Sequence, residues 1–373
     1  MKLSALLLLT ASLTFISGSG RCEETTLLFQ GAAYPLKITV SPETPVGAVI
    51  YETPLSRAPL ADYDTVLVEG MMPDPRIKLQ VRMKNGSVFK TYERSVIHRF
   101  PNGRFWVKYK LGALTREPLK ITVLNNGVGK KHILTIYGAE IFSEAAEKES
   151  ASLEITPDYQ PGPELSALKE LSFPMVRRAV WKAAAPKKPY AQHTPKLFTL
   201  HHTEGHSPAD YEAALQEMRF LQDYHQNGKG WIDIAYHFLV SPQGDIFEGR
   251  PIGVVGAHVA NKNANNTGIS VMGNYFNQEP GRKVLDAVAE IGRYMKATYK
   301  IGAGNFYAHR DIGSSDCPGD NLYAKMPELK NLIFKSSVPG PVRDVYVSAS
   351  FGEFSGEAVP SLTQLLGYGV GGQ

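Results

Sequence analysis

The sequence contains very few cysteines, which limits both how the chain can be cross-linked and how it can bind metal. Only two occur among its 373 residues, Cys22 and Cys317, so a framework of several disulfides is excluded. A bridge between Cys22 and Cys317 is the only pairing available. That bridge would consume the thiolate of Cys317 and is therefore incompatible with metal binding by this residue.

Strong charge bias and long apolar segments are also missing. The formal net charge is only +4, which is compatible with an anionic partner such as a cell-wall polymer but too weak to indicate nucleic-acid binding. No apolar stretch after the N-terminal region reaches the roughly 18 residues that a membrane-spanning helix needs. We therefore predict no nucleic-acid partner and no transmembrane segment. The sequence does not indicate an oligomeric state.

The N-terminal residues have the pattern of an export signal. Lys2 supplies a positive charge, residues 3–16 form an apolar run too short to span a membrane, and small residues follow at 17–20. Cys22 raises the alternative of a lipid anchor, but Arg21 is a poor fit for the small residue that lipoprotein processing requires. We predict a signal peptide at residues 1–20 and an unlipidated exported protein, either periplasmic or secreted.

Residues 25–145 have the pattern of β-structure. The segment from Ile77 to Met83 alternates strictly between apolar and polar residues and is followed by Asn85-Gly86, a strong hairpin-turn dipeptide. This alternation predicts one packed face and one solvated face. We predict an all-β, sandwich-like accessory domain. Further short strand-like runs lie at Thr65–Glu69, Phe105–Leu111, Leu119–Leu124 and Ile133–Tyr137.

The rest of the chain is predicted to contain a linker, a mixed α/β domain and a tail. Residues 146–176 become rich in alanine, glutamate, serine and then proline, which is typical of a linker. Residues 177–335 alternate between short strands and amphipathic helices, which predicts a mixed sheet with helices on it. One helix is predicted from a capping box at Ser207–Asp210. Residues 336–373 form a C-terminal tail of unknown role.

Two residues near the end of the α/β region have the chemistry of metal ligands. His309 and Cys317 are close in sequence, and Zn²⁺ binds Cys sulfur and His nitrogen in tetrahedral geometry. A third ligand must come from upstream. On the strand at residues 197–201, His201 shares a face with Thr199, whereas His202 points to the other face. We therefore predict His201 as the third ligand.

An ordered set of short motifs resembles zinc N-acetylmuramoyl-L-alanine amidases of the phage-lysozyme type and peptidoglycan recognition proteins. The resemblance covers about Arg177 to Leu332. His309 and Cys317 are eight residues apart, as in that family. The motifs are His201-His202-Thr203, Trp231 to Phe238, Phe247 to Pro251, Gly256-Ala257-His258, Gly268-Ile269, His309-Arg310-Asp311 and Cys317-Pro318-Gly319.

The resemblance implies specific roles for residues of this chain. His201, His309 and Cys317 would bind Zn²⁺, Tyr236 would be a catalytic tyrosine that stabilises the oxyanion, and His258 would line the substrate groove or make a structural hydrogen bond. Ser315 stands where relatives usually have lysine or threonine. Serine keeps a hydroxyl but is a poor base, so the general base stays open, with zinc-bound hydroxide as one candidate.

The resemblance implies a secreted zinc hydrolase that cuts the amide between N-acetylmuramic acid and L-alanine in peptidoglycan. The alternative from a different class is a recognition protein that binds peptidoglycan without turnover, and the Ser315 departure keeps it open. A structural zinc site is disfavoured because no fourth protein ligand is evident.

Other polar residues of the α/β region are assigned structural or solvent-facing roles. His202 and His237 are predicted to lie in the core or behind the ligands, and Glu248 to pair with Arg250 or the backbone. His206 and His225 are predicted to be solvated.

Overall fold

The structure is a computed structural model that describes residues 25–147 and 173–335. The predicted signal peptide, Cys22, most of the predicted linker and the C-terminal tail lie outside these residues. Within the described parts of the chain, no helix is both long and apolar enough to cross a membrane.

The N-terminal region consists of two antiparallel sheets. One has the strand order β1-β9-β3-β7-β6 and the other the order β2-β8-β4-β5. The predicted alternation is present in β4, and Gly86 makes the hairpin turn to β5 with a φ of +62°. The strands are β1 Leu36–Val40, β2 Val49–Glu52, β3 Tyr63–Met71, β4 Ile77–Asn85, β5 Val88–Tyr92, β6 Val96–Arg99, β7 Arg104–Thr115, β8 Leu119–Asn125 and β9 His132–Phe142.

The two N-terminal sheets share one apolar core. Val66 and Val107 from the first sheet and Val81 and Ile121 from the second belong to the same buried cluster. β-branched residues suit this position because they pack well on a pleated surface. The predicted β-structure of the N-terminal region is therefore present, in two sheets that share one buried apolar cluster.

The C-terminal region is a mixed sheet with helices, as predicted. The strand order is β12-β11-β13-β10-β14, and every pair is parallel except β11 with β12. Its strands are β10 Leu197–His202, β11 Phe238–Val240, β12 Ile246–Glu248, β13 Asn266–Val271 and β14 Phe306–Ala308. The longer helices are α1 Tyr211–Asp223 and α2 Arg282–Tyr299, and shorter helical turns lie at Tyr224–Lys229, Ala303–Asn305, His309–Ile312, Asp320–Tyr323, Met326–Lys330 and Asn331–Lys335.

Helix α1 begins later than the capping box predicted. Asp210, not Ser207, is the N-cap residue, and its carboxylate accepts a hydrogen bond from the Ala213 amide at 2.8 Å. A short polar side chain at either position can cap a helix, so the sequence alone did not distinguish them. The helical path continues to Gly230, which ends it with a φ of +87°.

Helix α2 covers one face of the mixed sheet. Its residues Val284, Val288 and Ile291 lie in the same buried cluster as Phe198 and Leu200 of β10. Burial of such side chains contributes roughly 1.5–3 kcal/mol each. This packing fixes which face of β10 is left for polar side chains.

The first N-terminal sheet is buried on both faces, contrary to the prediction of one solvated face. Leu67 of β3 and Trp106 of β7 point away from the shared core and pack with Met218 and Phe220 of α1. The Trp106 indole N–H also donates to Asp223 at 2.7 Å. The α/β region therefore covers part of a sheet face that the sequence pattern predicted to be exposed to solvent.

Candidate metal centre and its cavity

Strand β10 positions the first candidate ligand. Phe198 and Leu200 point into the core beneath α2, and His201 points to the opposite face, where it is 1% exposed. Because β10 lies between β13 and β14, its C-terminal end is next to the end of β14, which is followed directly by His309.

The structure brings together the three residues predicted to bind metal. One ligand atom from each of His201, His309 and Cys317 lies within 4.8 Å of the others. The loop after β14 is held closed because the Arg310 amide donates to the Cys317 carbonyl at 2.9 Å. The loop between His309 and Cys317 thus brings both side chains to the ligand cluster.

The sulfur of Cys317 receives polar contacts that suit a thiolate. The His202 amide donates to Sγ at 3.4 Å. Hydrogen bonds to a charged acceptor favour the charged form. The Ser315 hydroxyl oxygen accepts from the Cys317 amide at 3.1 Å, which fixes the turn that carries the sulfur.

His258 holds the ring of His201 from behind. Nε2 of His258 lies 3.1 Å from the Asn266 carbonyl oxygen, which can only accept, so this nitrogen carries the proton. Nδ1 of His258 is then an acceptor for Nε2–H of His201 at 3.0 Å. His201 is thereby left with its Nδ1 lone pair directed toward Cys317, which is the tautomer that a metal ligand on this nitrogen requires.

Two glycines make room for His258. A Cβ at Gly256 would lie 2.5 Å from Cδ2 of His258, and one at Gly268 would lie 2.8 Å from the same ring. Any larger residue at either position would displace the imidazole. This close approach accounts physically for glycine in the Gly256-Ala257-His258 and Gly268-Ile269 motifs.

Burial keeps His201 and His258 neutral. Removal from water, followed by the nearby His309 and His258, holds the pKa of His201 well below its ordinary value. Burial likewise lowers the pKa of His258 to about 3. A neutral imidazole is the form that binds a metal ion.

All six predicted site residues line one cavity of about 650 Å³. Tyr236 is half-buried, and its ring centre is 5.2 Å from that of His201. Ser315 is half-buried in the same lining. The cavity residues predicted from sequence are His201, Tyr236, His258, His309, Ser315 and Cys317.

Other polar residues have mostly structural partners. Glu248 accepts from the Arg178 amide at 3.0 Å, and His237 contacts the Val254 carbonyl oxygen at 2.7 Å. The prediction for His225 is wrong: this ring is 7% exposed and stacks on Trp231 with centres 5.0 Å apart. The sequence pattern did not reveal this burial.

The cavity lining also includes residues from outside the motifs, which were not predicted. Glu204 lies three positions after His201 and lines the cavity, as do Tyr137 and Glu140 of β9 in the N-terminal region. No local pattern marked them, because their position depends on how the two regions pack.

Comparison with known proteins identifies the family. The profile described as N-acetylmuramoyl-L-alanine amidase matches residues 191–320. Peptidoglycan-recognition protein SC2 of Drosophila simulans is 30% identical over 164 residues, which cover 43% of this chain and 89% of that protein. Peptidoglycan-recognition protein SD of the same species is 31% identical over 161 residues, covering 42% and 87%. The chain belongs to the N-acetylmuramoyl-L-alanine amidase and peptidoglycan-recognition protein family.

Relatives of this chain are named either for peptidoglycan recognition or for amidase activity. A human relative named N-acetylmuramoyl-L-alanine amidase is 33% identical over 185 residues, covering 45% of this chain and 30% of that protein. Among solved structures, Drosophila peptidoglycan recognition protein SD is 29% identical with a TM-score of 0.40, covering 42% of this chain and 95% of that one. Because the sequence relatives are named both as recognition proteins and as an amidase, family membership alone does not choose between turnover and binding.

Proposed function

We propose that this protein is a zinc-dependent N-acetylmuramoyl-L-alanine amidase that hydrolyses the amide between the lactyl group of N-acetylmuramic acid and L-alanine in peptidoglycan. The observation that carries the proposal is the convergence of His201, His309 and Cys317, with ligand atoms within 4.8 Å of one another in a cavity. Family membership supports the choice of substrate.

The donor set fits a catalytic zinc ion. Two neutral imidazoles and one thiolate are typical zinc ligands, and three protein ligands leave a fourth position for water or substrate. Within the described residues, no fourth His, Cys, Asp or Glu joins the cluster, which argues against a closed structural site. Zinc bound here would polarise the amide carbonyl and acidify a water molecule toward neutral pH.

The side chains around the cluster supply the remaining functions. The Tyr236 hydroxyl, on a ring beside His201, would donate a hydrogen bond to the oxyanion that forms when the amide is attacked. Ser315 already accepts from the Cys317 amide through its oxygen, so its own proton can be donated to substrate. His258 keeps His201 in the metal-binding tautomer.

A peptidoglycan-binding protein without turnover is the second candidate. It is favoured by one feature, Ser315, which offers neither the charge of lysine nor its reach at a position close to the ligand cluster. The complete His201, His309 and Cys317 set supports the enzyme instead.

The proposal extends to the organisation and location of the chain. Residues 1–20 would be a signal peptide that directs export to the periplasm or outside the cell. Residues 25–145 would be a β-sandwich accessory domain, 146–176 a linker, 177–335 the amidase domain and 336–373 a tail. N-terminal sequencing of the exported protein tests the signal peptide; an intact Met1 would contradict it.

The decisive variant is Tyr236→Phe, because it removes one hydroxyl and keeps the ring. Loss of an oxyanion donor typically costs about 10²–10³ in turnover, while ground-state binding changes little. We expect the variant to retain zinc and peptidoglycan affinity while turnover falls at least tenfold. Elemental analysis provides the control, with one zinc per chain in wild type and less in Cys317→Ser. A zinc-loaded wild type that binds peptidoglycan but shows no turnover would establish the recognition protein.

A further inference from the structure

The N-terminal β-domain and the α/β region form an interface through buried charged groups. Arg104 of β7 is completely buried and makes two bonds to Glu217 of α1, at 3.0 and 2.9 Å, and one to Glu69 at 2.7 Å. Lys229 reaches Glu140 of β9 at 2.6 Å. Buried charges require such partners, because an unpaired one costs several kcal/mol.

This interface forms part of the catalytic cavity. Tyr137 and Glu140 of the β-domain line the same cavity as His201 and Cys317. Tyr137 is half-buried, with its ring centre 5.4 Å from that of His206 and 5.1 Å from the guanidinium carbon of Arg104. The β-domain therefore contributes part of the cavity wall.

The charges in the lining are predominantly acidic. The lining contains six carboxyl side chains and three Lys or Arg side chains, and each cation is paired with at least one lining carboxylate. Among the described residues, the sixth carboxylate, that of Glu204, has one basic side chain within ion-pair distance, His202, at 3.9 Å.

An acidic wall discriminates between the two parts of peptidoglycan. The stem peptide carries free carboxylates, which like charge repels. The glycan is neutral and rich in hydroxyl groups, which can donate hydrogen bonds to carboxylates. The half-buried ring of Tyr137 offers a flat surface on which the apolar face of a sugar ring can pack.

We infer that the β-domain wall containing Tyr137 and Glu140 is a glycan-binding subsite, and that it places the sugar strand beside the metal centre. This inference rests on the proposed function for the identity of the polymer. It predicts that sugar affinity depends on the β-domain, although the hydrolytic residues all lie in the α/β region.

The test measures binding of two fragments to the metal-free full-length protein, so that no hydrolysis intervenes. One fragment is the disaccharide of N-acetylglucosamine and N-acetylmuramic acid with its lactyl carboxyl capped as a methyl amide, and the other is the N-acetylated stem peptide. The variants are Tyr137→Ala and Tyr137→Leu, the second of which keeps apolar bulk against Arg104. Tyr92→Ala is the control, because this half-buried tyrosine lies on β5 and not in the cavity lining.

We expect both Tyr137 variants to weaken disaccharide binding about three- to tenfold, in line with the loss of one aromatic contact, and to leave stem-peptide binding unchanged. Tyr92→Ala should bind both fragments like wild type. Equal disaccharide affinity in all folded proteins, or weakening of peptide binding alone, would overturn the subsite. If the zinc-loaded wild type shows no turnover but its sugar binding still depends on Tyr137, the amidase proposal is rejected and the glycan subsite stands.

Discussion

Replacing His258 with phenylalanine should weaken zinc binding, although His258 is not one of the three proposed ligands. Phenylalanine fills the space between Gly256 and Gly268 but removes the acceptor 3.0 Å from Nε2 of His201. The buried His201 N–H then lacks its partner, and the ring is no longer held in the tautomer that presents Nδ1. Loss of such an outer partner typically weakens metal affinity about 10- to 100-fold, which corresponds to about 1.4–2.7 kcal/mol.

The assay is competition for zinc between the protein and a chelator of known affinity. His225→Phe serves as the matched control, because His225 is also a buried histidine of the cavity lining, but its ring stacks on Trp231 instead of on a proposed ligand. The control should bind zinc like wild type. A folded His258→Phe protein with unchanged zinc affinity and weakened substrate binding would refute the positioning role and favour direct substrate contact.

Two further predictions concern stability. Arg104→Met leaves Glu217 buried beside a neutral residue and should lower the free energy of unfolding by roughly 3–5 kcal/mol. The double variant Arg104→Met/Glu217→Met should recover part of that loss. A decrease of less than about 1 kcal/mol for the single variant in urea denaturation would contradict a structural role for this interface. Burial lowers the pKa of His225 in the folded protein to about 3. As pH falls, His225 is therefore protonated in the unfolded chain before it is protonated in the folded protein. Its contribution to stability is complete above about pH 6.5 and is lost toward pH 3. His225→Phe should therefore reduce the stability lost between pH 7 and pH 5 by about 2 kcal/mol, and an unchanged loss would show that His225 does not titrate as its burial requires.

Local periodicity predicted much of the fold. The alternation in β4 and the turn at Gly86 need only neighbouring residues, and both are present. The period of two also separated His201 from His202 on β10, since side chains alternate across a strand. The mixed sheet followed from strands and helices alternating along the chain.

The interface between the two regions could not be predicted in this way. Leu67 and Trp106 follow a strand pattern that is equally consistent with solvent on that face, and only the packing of α1 shows that they are buried. His225 was assigned to solvent for the same reason. Nothing near Tyr137 in sequence indicates that it lies in one cavity with residues more than sixty positions away.

The most direct test of the central claim is mass spectrometry of the material released from purified peptidoglycan by the zinc-loaded protein. We expect peptides with a free L-alanine amino terminus, uncut glycan strands, and no release by Cys317→Ser. New reducing sugar ends, or no released peptide despite one zinc bound per chain, would contradict it.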